Sequence, residues 1–494
     1  MKDCLKMLAI GDIHYASGRR VAPTPERRSA YGVEFLKRVL RRFSDEEKPD
    51  VLVLPGDLLD DGREREARGD LLSIRKVLEE SGIPAVSVPG NHEGDNAAFF
   101  SALGDTPGLH LVKNFIIYSF SDAYGENDSC SRREEDLDRF RSETGKHPGK
   151  KIIALQHNQV HPLIESAYPY NLANAGQVHR FYAENRVFLS ISGHYHPGID
   201  LASRNGVGYL TVPALCESPF RYLIIDIQGE RIDVRTYSLK NPLPLSDNHC
   251  HSQFAYCAED VTVEKVIERA VLLGMRYVCF TEHADQLYLT RKEYQNQVFF
   301  RNPGIIRKAR EKGRDRVRAF REAVRTSGSV MARTGLEVVP DSSGGVTLLP
   351  EDREGLDLII GAVHFLPEDF SSAPASRMQK AFMEAVEVLL KNDMAVLAHP
   401  FRIFVRNGLN PPAELFRPMA EMLKSYGVAA ELNFHTNRPA PEFFDICLQE
   451  AIKVSLGTDT HNLLKAGEFN QHRRFLEMLG VSTEHLGEVL YLLP

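Results

Sequence analysis

Five short clusters in the first half of the chain hold residues that bind metal and move protons: Asp12-x-His14, Gly56-Asp57, Gly90-Asn91-His92-Glu93, His157 and Gly193-His194-x-His196. Carboxylate, amide and imidazole donors in one set suit two divalent transition ions, Mn, Fe or Zn, over Mg. Two such cations about 3.5–4 Å apart repel unless an anion lies between them, so one carboxylate must bridge. Asp57, just after a glycine turn, is the candidate. A water held between the ions sheds its proton near neutral pH and becomes a nucleophile. His92 follows the ligand Asn91 and is placed to protonate a leaving oxygen, with Glu93 orienting it. A lone His157 reads equally well as an ordinary buried histidine; five clusters in this order do not.

The second half repeats the pattern with other residues: His249-x-His251, Glu282-His283, Glu337, His364, His399-Pro400 and Asp459-x-His461. Histidines at i and i+2 on an extended strand point to one side, so both reach one ion. Two carboxylates and six imidazoles suffice for two or three divalent ions (Zn, Fe or Mn), with Glu337 placed to bridge and to serve catalysis. His364 alone would pass for a satisfied core histidine.

These clusters need elements to carry them, and in both halves they end apolar runs. The stretches LKMLAIGD, DVLVLPGD, PAVSVPGN, KIIALQH and VFLSISGH predict buried strands, with helices over 31–43 and 68–80 between the early ones. After Gly198 the pattern changes to strands with turns, YLTVP, YLIIDIQG and IDVRTYSL, predicting an α/β layer arrangement closed by antiparallel strands. Polar groups at strand C-termini converge on one edge of such a sheet. In the second half HCHS, RYVCFTEH, RTGLEVV, LDLIIGAVH, MAVLAHP, VAAELNF and KVSLGTD predict seven strands, mostly separated by helices. The helix after Asp260 shows a stripe of Val263, Val266, Ile267, Ala270 and Val271. Seven strand–helix units with polar strand ends predict a barrel whose site lies on its C-terminal face. The segment SLKNPLPLS, with two prolines, predicts a linker over 239–246 between domains 1–238 and 247–494.

The order D-x-H, GD, GNHE, H, GHxH resembles the calcineurin-like metallophosphoesterase family over about residues 5–238, with a compact layout similar to its bacterial phosphodiesterase branch. The resemblance implies a four-layer αββα sandwich and dimetal phosphoester hydrolysis. One ion would take Asp12, His14, Asp57 and His196, the other Asp57, Asn91, His157 and His194, with His92 as general acid. The second half, about residues 247–494, resembles the PHP (polymerase and histidinol phosphatase) superfamily. The stretches DNHCHSQF, FTEH, GLEVV and GAVHF are especially similar to its histidinol-phosphatase branch, which implies a distorted (β/α)7 barrel. By that resemblance one ion takes His249, His251, Glu337 and Asp459, a second Glu337, His364 and His399, and a third His283 and His461. The family's further histidine, eight residues after the first, is here Cys257, a competent zinc ligand as thiolate. Glu282 stands where many relatives have Asp. Arg402 in HPFR, with Arg438 and His435 in FHTNRP, lies where a substrate phosphate would sit, and Arg suits bidentate phosphate contact.

Composition narrows the rest. At 494 residues, 43% hydrophobic and 26% charged, the chain is ordinary globular material for two or three domains. No apolar run approaches the ~18 residues of a membrane span, and the opening MKDCLKMLAIGD leaves no room for a signal peptide. Seven scattered cysteines form no disulfide framework, which with those features predicts a cytoplasmic protein. The net charge of −7, acidic in both halves, argues against a nucleic-acid partner and for a small anionic phosphoester. Arg307–Arg325, with nine basic and three acidic residues, reads as a solvated helix face over a buried Val317, Phe320 and Val324 stripe. Its alternative is an electropositive wall drawing in an anion. The expectation is a bifunctional hydrolase, phosphodiesterase then phosphatase. The alternatives are a nuclease, or one domain acting as a non-catalytic binding module.

Overall fold

The computed structural model describes residues 4–18, 24, 26–43, 47–366 and 375–493. The chain divides into two compact units, Met1–Lys240 and Asn241–Pro494.

In the first unit, short apolar runs become strands β1 (Cys4–Ala9), β2 (Val51–Leu54), β3 (Ala85–Ser87), β4 (Gly108–Val112), β5 (Phe115–Ser119) and β6 (Lys151–Leu155). They are followed by β7 (Val187–Ser192), β8 (Ile199–Arg204), β9 (Val207–Thr211), β10 (Arg221–Gln228) and β11 (Arg231–Ser238). Two sheets result, in the orders β11-β10-β1-β2-β3 and β4-β5-β6-β7-β9-β8. Strand side chains alternate between faces, so Met7, Val53 and Leu223 of one sheet meet Ile117, Ile153 and Leu189 of the other in a shared core. The opposite face of the second sheet, Ile116, Tyr118 and Ile152, packs with Phe140 and Tyr182 from helices Glu134–Thr144 and Ala175–Glu184. Helices Gly32–Leu40 and Ala67–Ser81 bury Phe35, Val39, Leu71 and Ile74 beside the first sheet. The architecture is helix, sheet, sheet, helix, as the resemblance implied. Sequence patterning passed over the β4–β5 hairpin, whose turn at Lys113 (φ 51°) carries no glycine or proline.

The second unit holds β12 (Ser246–Cys250), β13 (Tyr277–His283), β14 (Ala332–Val338), β15 (Leu358–Gly361), β16 (Val396–Leu397), β17 (Ala429–Leu432) and β18 (Val454–Leu456). All pair parallel in chain order. The Asp459 N–H donates to the His249 carbonyl (2.8 Å) and the His251 N–H to the Thr460 carbonyl (3.3 Å), bringing the last strand back to the first. The seven-stranded barrel is thereby nearly closed. Phe280, Leu336, Ile360, Val396, Ala430 and Leu456, from both faces of the sheet, belong to the unit's continuous hydrophobic core.

One local expectation changes and two gain detail. Val271 is exposed (60%), because it stands one residue, about 100°, past the buried Ala270 in helix Val263–Leu272. Residues 239–246 span the boundary between the units at Lys240–Asn241. The Leu239 N–H donates to the Phe220 carbonyl within the first unit, while Asn241 bonds to Leu273 and Gly467 and Leu245 is buried within the second. The basic run is largely occupied. Arg307, Arg310 and Arg314 pair with Glu351, Asp315, Asp352 and Glu293, over a buried Val317, Phe320 and Val324 stripe. Among the described residues no helix is long and apolar enough to cross a membrane.

Candidate metal centres

The first-unit clusters all lie in loops just past strand C-termini: after β1, β2 and β3 of one sheet and β6 and β7 of the other. Backbone hydrogen bonds lock these loops together, from Asp12 N–H to the Gly56 carbonyl, His14 N–H to Asp57 and Gly193 N–H to His157. Asp12, His14, Asp57 and His194 adopt left-handed φ of 49°, 46°, 51° and 69°. Such conformations cost about 1–3 kcal/mol each and persist where surrounding structure enforces them, as at functional sites. Gly90 has no alternative here, since a β-carbon would fall 2.2 Å from Asp57 Oδ1.

The buried donors converge in two groups. His14 Nε2 lies 3.2 Å from His196 Nε2 and 3.5 Å from Asp57 Oδ2, with Asp12 Oδ1 3.6 Å from His196. His157 Nε2 lies 3.2 Å from Asp57 Oδ2, 3.0 Å from His194 Nδ1 and 3.2 Å from Asn91 Oδ1. Asp57 belongs to both groups. Burial disfavours its charge, but the imidazoles of His157, His92 and His14 hold its carboxyl well below the usual range. Burial keeps His14 neutral and pushes His194 down to about 3.

Ligand orientation comes from residues outside the sequence-predicted set. His196 Nδ1 donates to Glu217 Oε1 (2.6 Å) and His157 Nδ1 to the Pro55 carbonyl (2.7 Å), so each Nε2 faces inward. His92 is set by the Asp60 carbonyl (2.5 Å at Nδ1), not by Glu93. The Glu93 carboxylate instead accepts backbone N–H groups of Asp57, Leu59 and Gly90 and braces the loops. Nothing in the spacing marked Glu217 or Arg27, whose Nη1 lies 3.4 Å from Asp60 Oδ1; Asp60 itself stood in the GDLLD run.

In the barrel, Glu337 is the hub. Its carboxylate lies 2.6 Å from His283 Nδ1, 3.0 Å from His364 Nε2, 3.0 Å from His399 Nε2 and 3.6 Å from His249 Nε2. His249 and His251 face each other at 3.2 Å, and Asp459 Oδ1 lies 3.1 Å from His251. His461 joins His251 and His283 in a further group, and exposed Cys257 Sγ lies 3.7 Å from His283 Nε2. Glu431 (2.8 Å) and Glu282 (3.1 Å) accept from Nδ1 of His249 and His251, again turning Nε2 inward. Glu431 was missed, although a carboxylate inside the apolar run VAAELNF is itself a signal that it serves a buried partner.

The expected phosphate-binding residues separate. Arg402 is buried between Asp459 Oδ2 (2.6 Å) and His364 Nε2 (2.8 Å). His435 stacks on His461 at 4.7 Å and meets Lys465. Arg438 is exposed.

The donor sets fit divalent ions. In the barrel, with Nδ1 of His249 and His251 committed to Glu431 and Glu282, the two neutral Nε2 lone pairs face each other at 3.2 Å, an arrangement a cation resolves.

Fold and site together define a metal-dependent hydrolase of phosphoric esters. Residues 5–198 match the calcineurin-like phosphoesterase family and residues 247–435 the PHP domain. The chain thus joins a calcineurin-like phosphoesterase domain to a PHP domain. No curated protein matches it. Among solved structures it is similar to a dimetal phosphatase from Danio rerio (16% identity, TM-score 0.37, covering 47% of this chain and 98% of that one). It is also similar to TT1561 of Thermus thermophilus (11%, 0.34, 47% and 98%). A third is a Listeria monocytogenes protein provisionally assigned as a histidinol phosphatase (15%, 0.33, 46% and 99%).

Glu217→Ala frees the His196 imidazole to rotate and change tautomer. Loss of such a partner lowers metal affinity by roughly 10–100-fold. Metal titration of the variant, read by calorimetry, is expected to show that weakening at one N-terminal ion only.

Proposed function

We propose that the chain is bifunctional, the N-terminal centre hydrolysing a phosphodiester and the barrel a phosphate monoester such as histidinol phosphate, a nucleotide or a sugar phosphate. The observation that carries this assignment is the difference in cationic side chains around the two donor sets. Arg27 lines the first centre's cavity, which suits a singly charged diester. The second gathers Arg402 at its ligands and the Lys465–His435 pair beside His461, which suits a doubly charged monoester.

When bound, divalent Mn, Fe or Zn supplies Lewis acidity and an acidified water to either centre. Asp12, His14, Asp57 and His196 would hold one ion, and Asp57, Asn91, His157 and His194 another. In the barrel, His249, His251, Glu337 and Asp459, then Glu337, His364 and His399, would hold two. His283, His461 and Cys257 would hold a third. His92, anchored at Nδ1, turns Nε2 to the cavity and protonates the departing alkoxide. Arg402 holds a phosphate oxygen and keeps it against the ligands. A diester cut at the first centre leaves a monoester, the substrate class of the second, which supports consecutive action. Seven unpaired cysteines support a reducing, cytoplasmic setting, and the acidic balance supports small substrates over nucleic acid.

Chelation followed by reloading with Mn, Fe or Zn tests this assignment. Both diester cleavage and phosphate release from monoesters are expected to vanish with the ions and return on reloading. Absence of monoester hydrolysis under every reloading condition overturns the barrel's assignment.

A further inference from the structure

The cavity over the N-terminal centre measures about 430 Å3, within the range of small-molecule sites. It is lined by Asp57, His92, His194 and His196, by Tyr168, Tyr170 and Pro197, and by Arg27 and Glu217, with both tyrosine rings against His194. Tyr168 is 39% exposed, unusual for a large ring beside buried ligands. Its hydroxyl donates to Asp128 Oδ2 (2.9 Å) and accepts from Asn91 Nδ2 (3.3 Å), so the ring is pinned. Tyr170, 5.0 Å away and inclined 64°, packs edge-on against His194 and Tyr195 and buttresses it. Arg27 Nε is buried without a hydrogen-bond partner.

We propose that Tyr168, supported by Tyr170, is a stacking platform for a planar base, and that the diester substrate is a mononucleotide ester with the Arg27 guanidinium on its phosphate. This deepens the phosphodiesterase assignment and rests on it. A pinned, exposed aromatic face loses little entropy on stacking, which contributes ~1–3 kcal/mol per base. The cavity's size admits one nucleotide, not a duplex.

Two methyl phosphodiesters that differ only in the base isolate this contact: those of adenosine 5′-monophosphate and of methyl riboside 5-phosphate. Their cleavage by the full, Mn-loaded chain is followed by 31P NMR. The wild type is expected to prefer the adenosine ester in kcat/KM by about 5- to 150-fold, given that stacking strength. Tyr168→Leu should lose that preference and Tyr168→Phe should keep it. Equal rates on the two esters overturn the platform while leaving the diesterase standing. An equal fall on both esters in Tyr168→Leu also overturns it, since Tyr168 then acts only through Asn91. Turnover of neither ester by the wild type overturns the diesterase itself.

Discussion

Asp57→Asn is expected to reduce diester cleavage by about 10³-fold or more while phosphate release from monoesters persists. The reason is its position. Asp57 is a carboxylate shared by both donor groups, 3.5 Å from His14 and 3.2 Å from His157, and it also accepts the His92 backbone N–H at 3.1 Å. Asparagine preserves shape and that hydrogen bond but removes the anion that would separate two cations. Lewis-acid stabilisation is worth several kcal/mol of the barrier, and ~4 kcal/mol corresponds to about 10³ in rate. Metal analysis should show fewer ions per chain, and near-native circular dichroism would exclude unfolding as the cause. Unchanged diester cleavage, or parallel loss of monoester cleavage, would show that the first centre does not carry the diesterase.

Glu337→Gln is expected to do the reverse, abolishing monoester hydrolysis by a similar factor and sparing the diesterase. Burial disfavours the Glu337 charge, yet His364, His283 and His249 hold its carboxyl well below the usual range. An amide in its place carries no charge to offset several cations or imidazoles at once. The measurement is phosphate release from a monoester panel, with metal content per chain alongside. If no monoester distinguishes variant from wild type, the barrel is not the phosphatase. Crossing the two variants also tests consecutive action. A diester incubated with Glu337→Gln should accumulate as monoester, whereas Asp57→Asn should leave it intact.

Much of this was legible in the residues because metal ligands are constrained in type and sit where apolar strands stop. The pattern of β1, β2, β6 and β7 against Asp12, Asp57, His157 and His194 shows this, as do the seven barrel strands. The β4–β5 hairpin escaped because its turn uses Lys113 in a left-handed conformation, where turn chemistry offers no glycine to read. The exposed Val271 illustrates how a helical stripe drifts when only periodicity is followed.

The candidate donors, their division between two units and the strands that carry them were set by local sequence, since each depends on a few contiguous residues. Tertiary structure alone decided what surrounds each ligand. Glu217 reaches His196 across 21 residues, Glu431 reaches His249 across 182, and Tyr168 reaches Asn91 across 77. Spacing carries no mark of such partners. Their roles arise when strand ends meet in space and one imidazole nitrogen must find an acceptor. The same reason moved Glu93 from orienting His92 to bracing the loops, and left Arg402 inside the barrel's centre while Arg438 faces water. Chemical class follows from which residues are present; the proposed substrates rest on what the fold places around them.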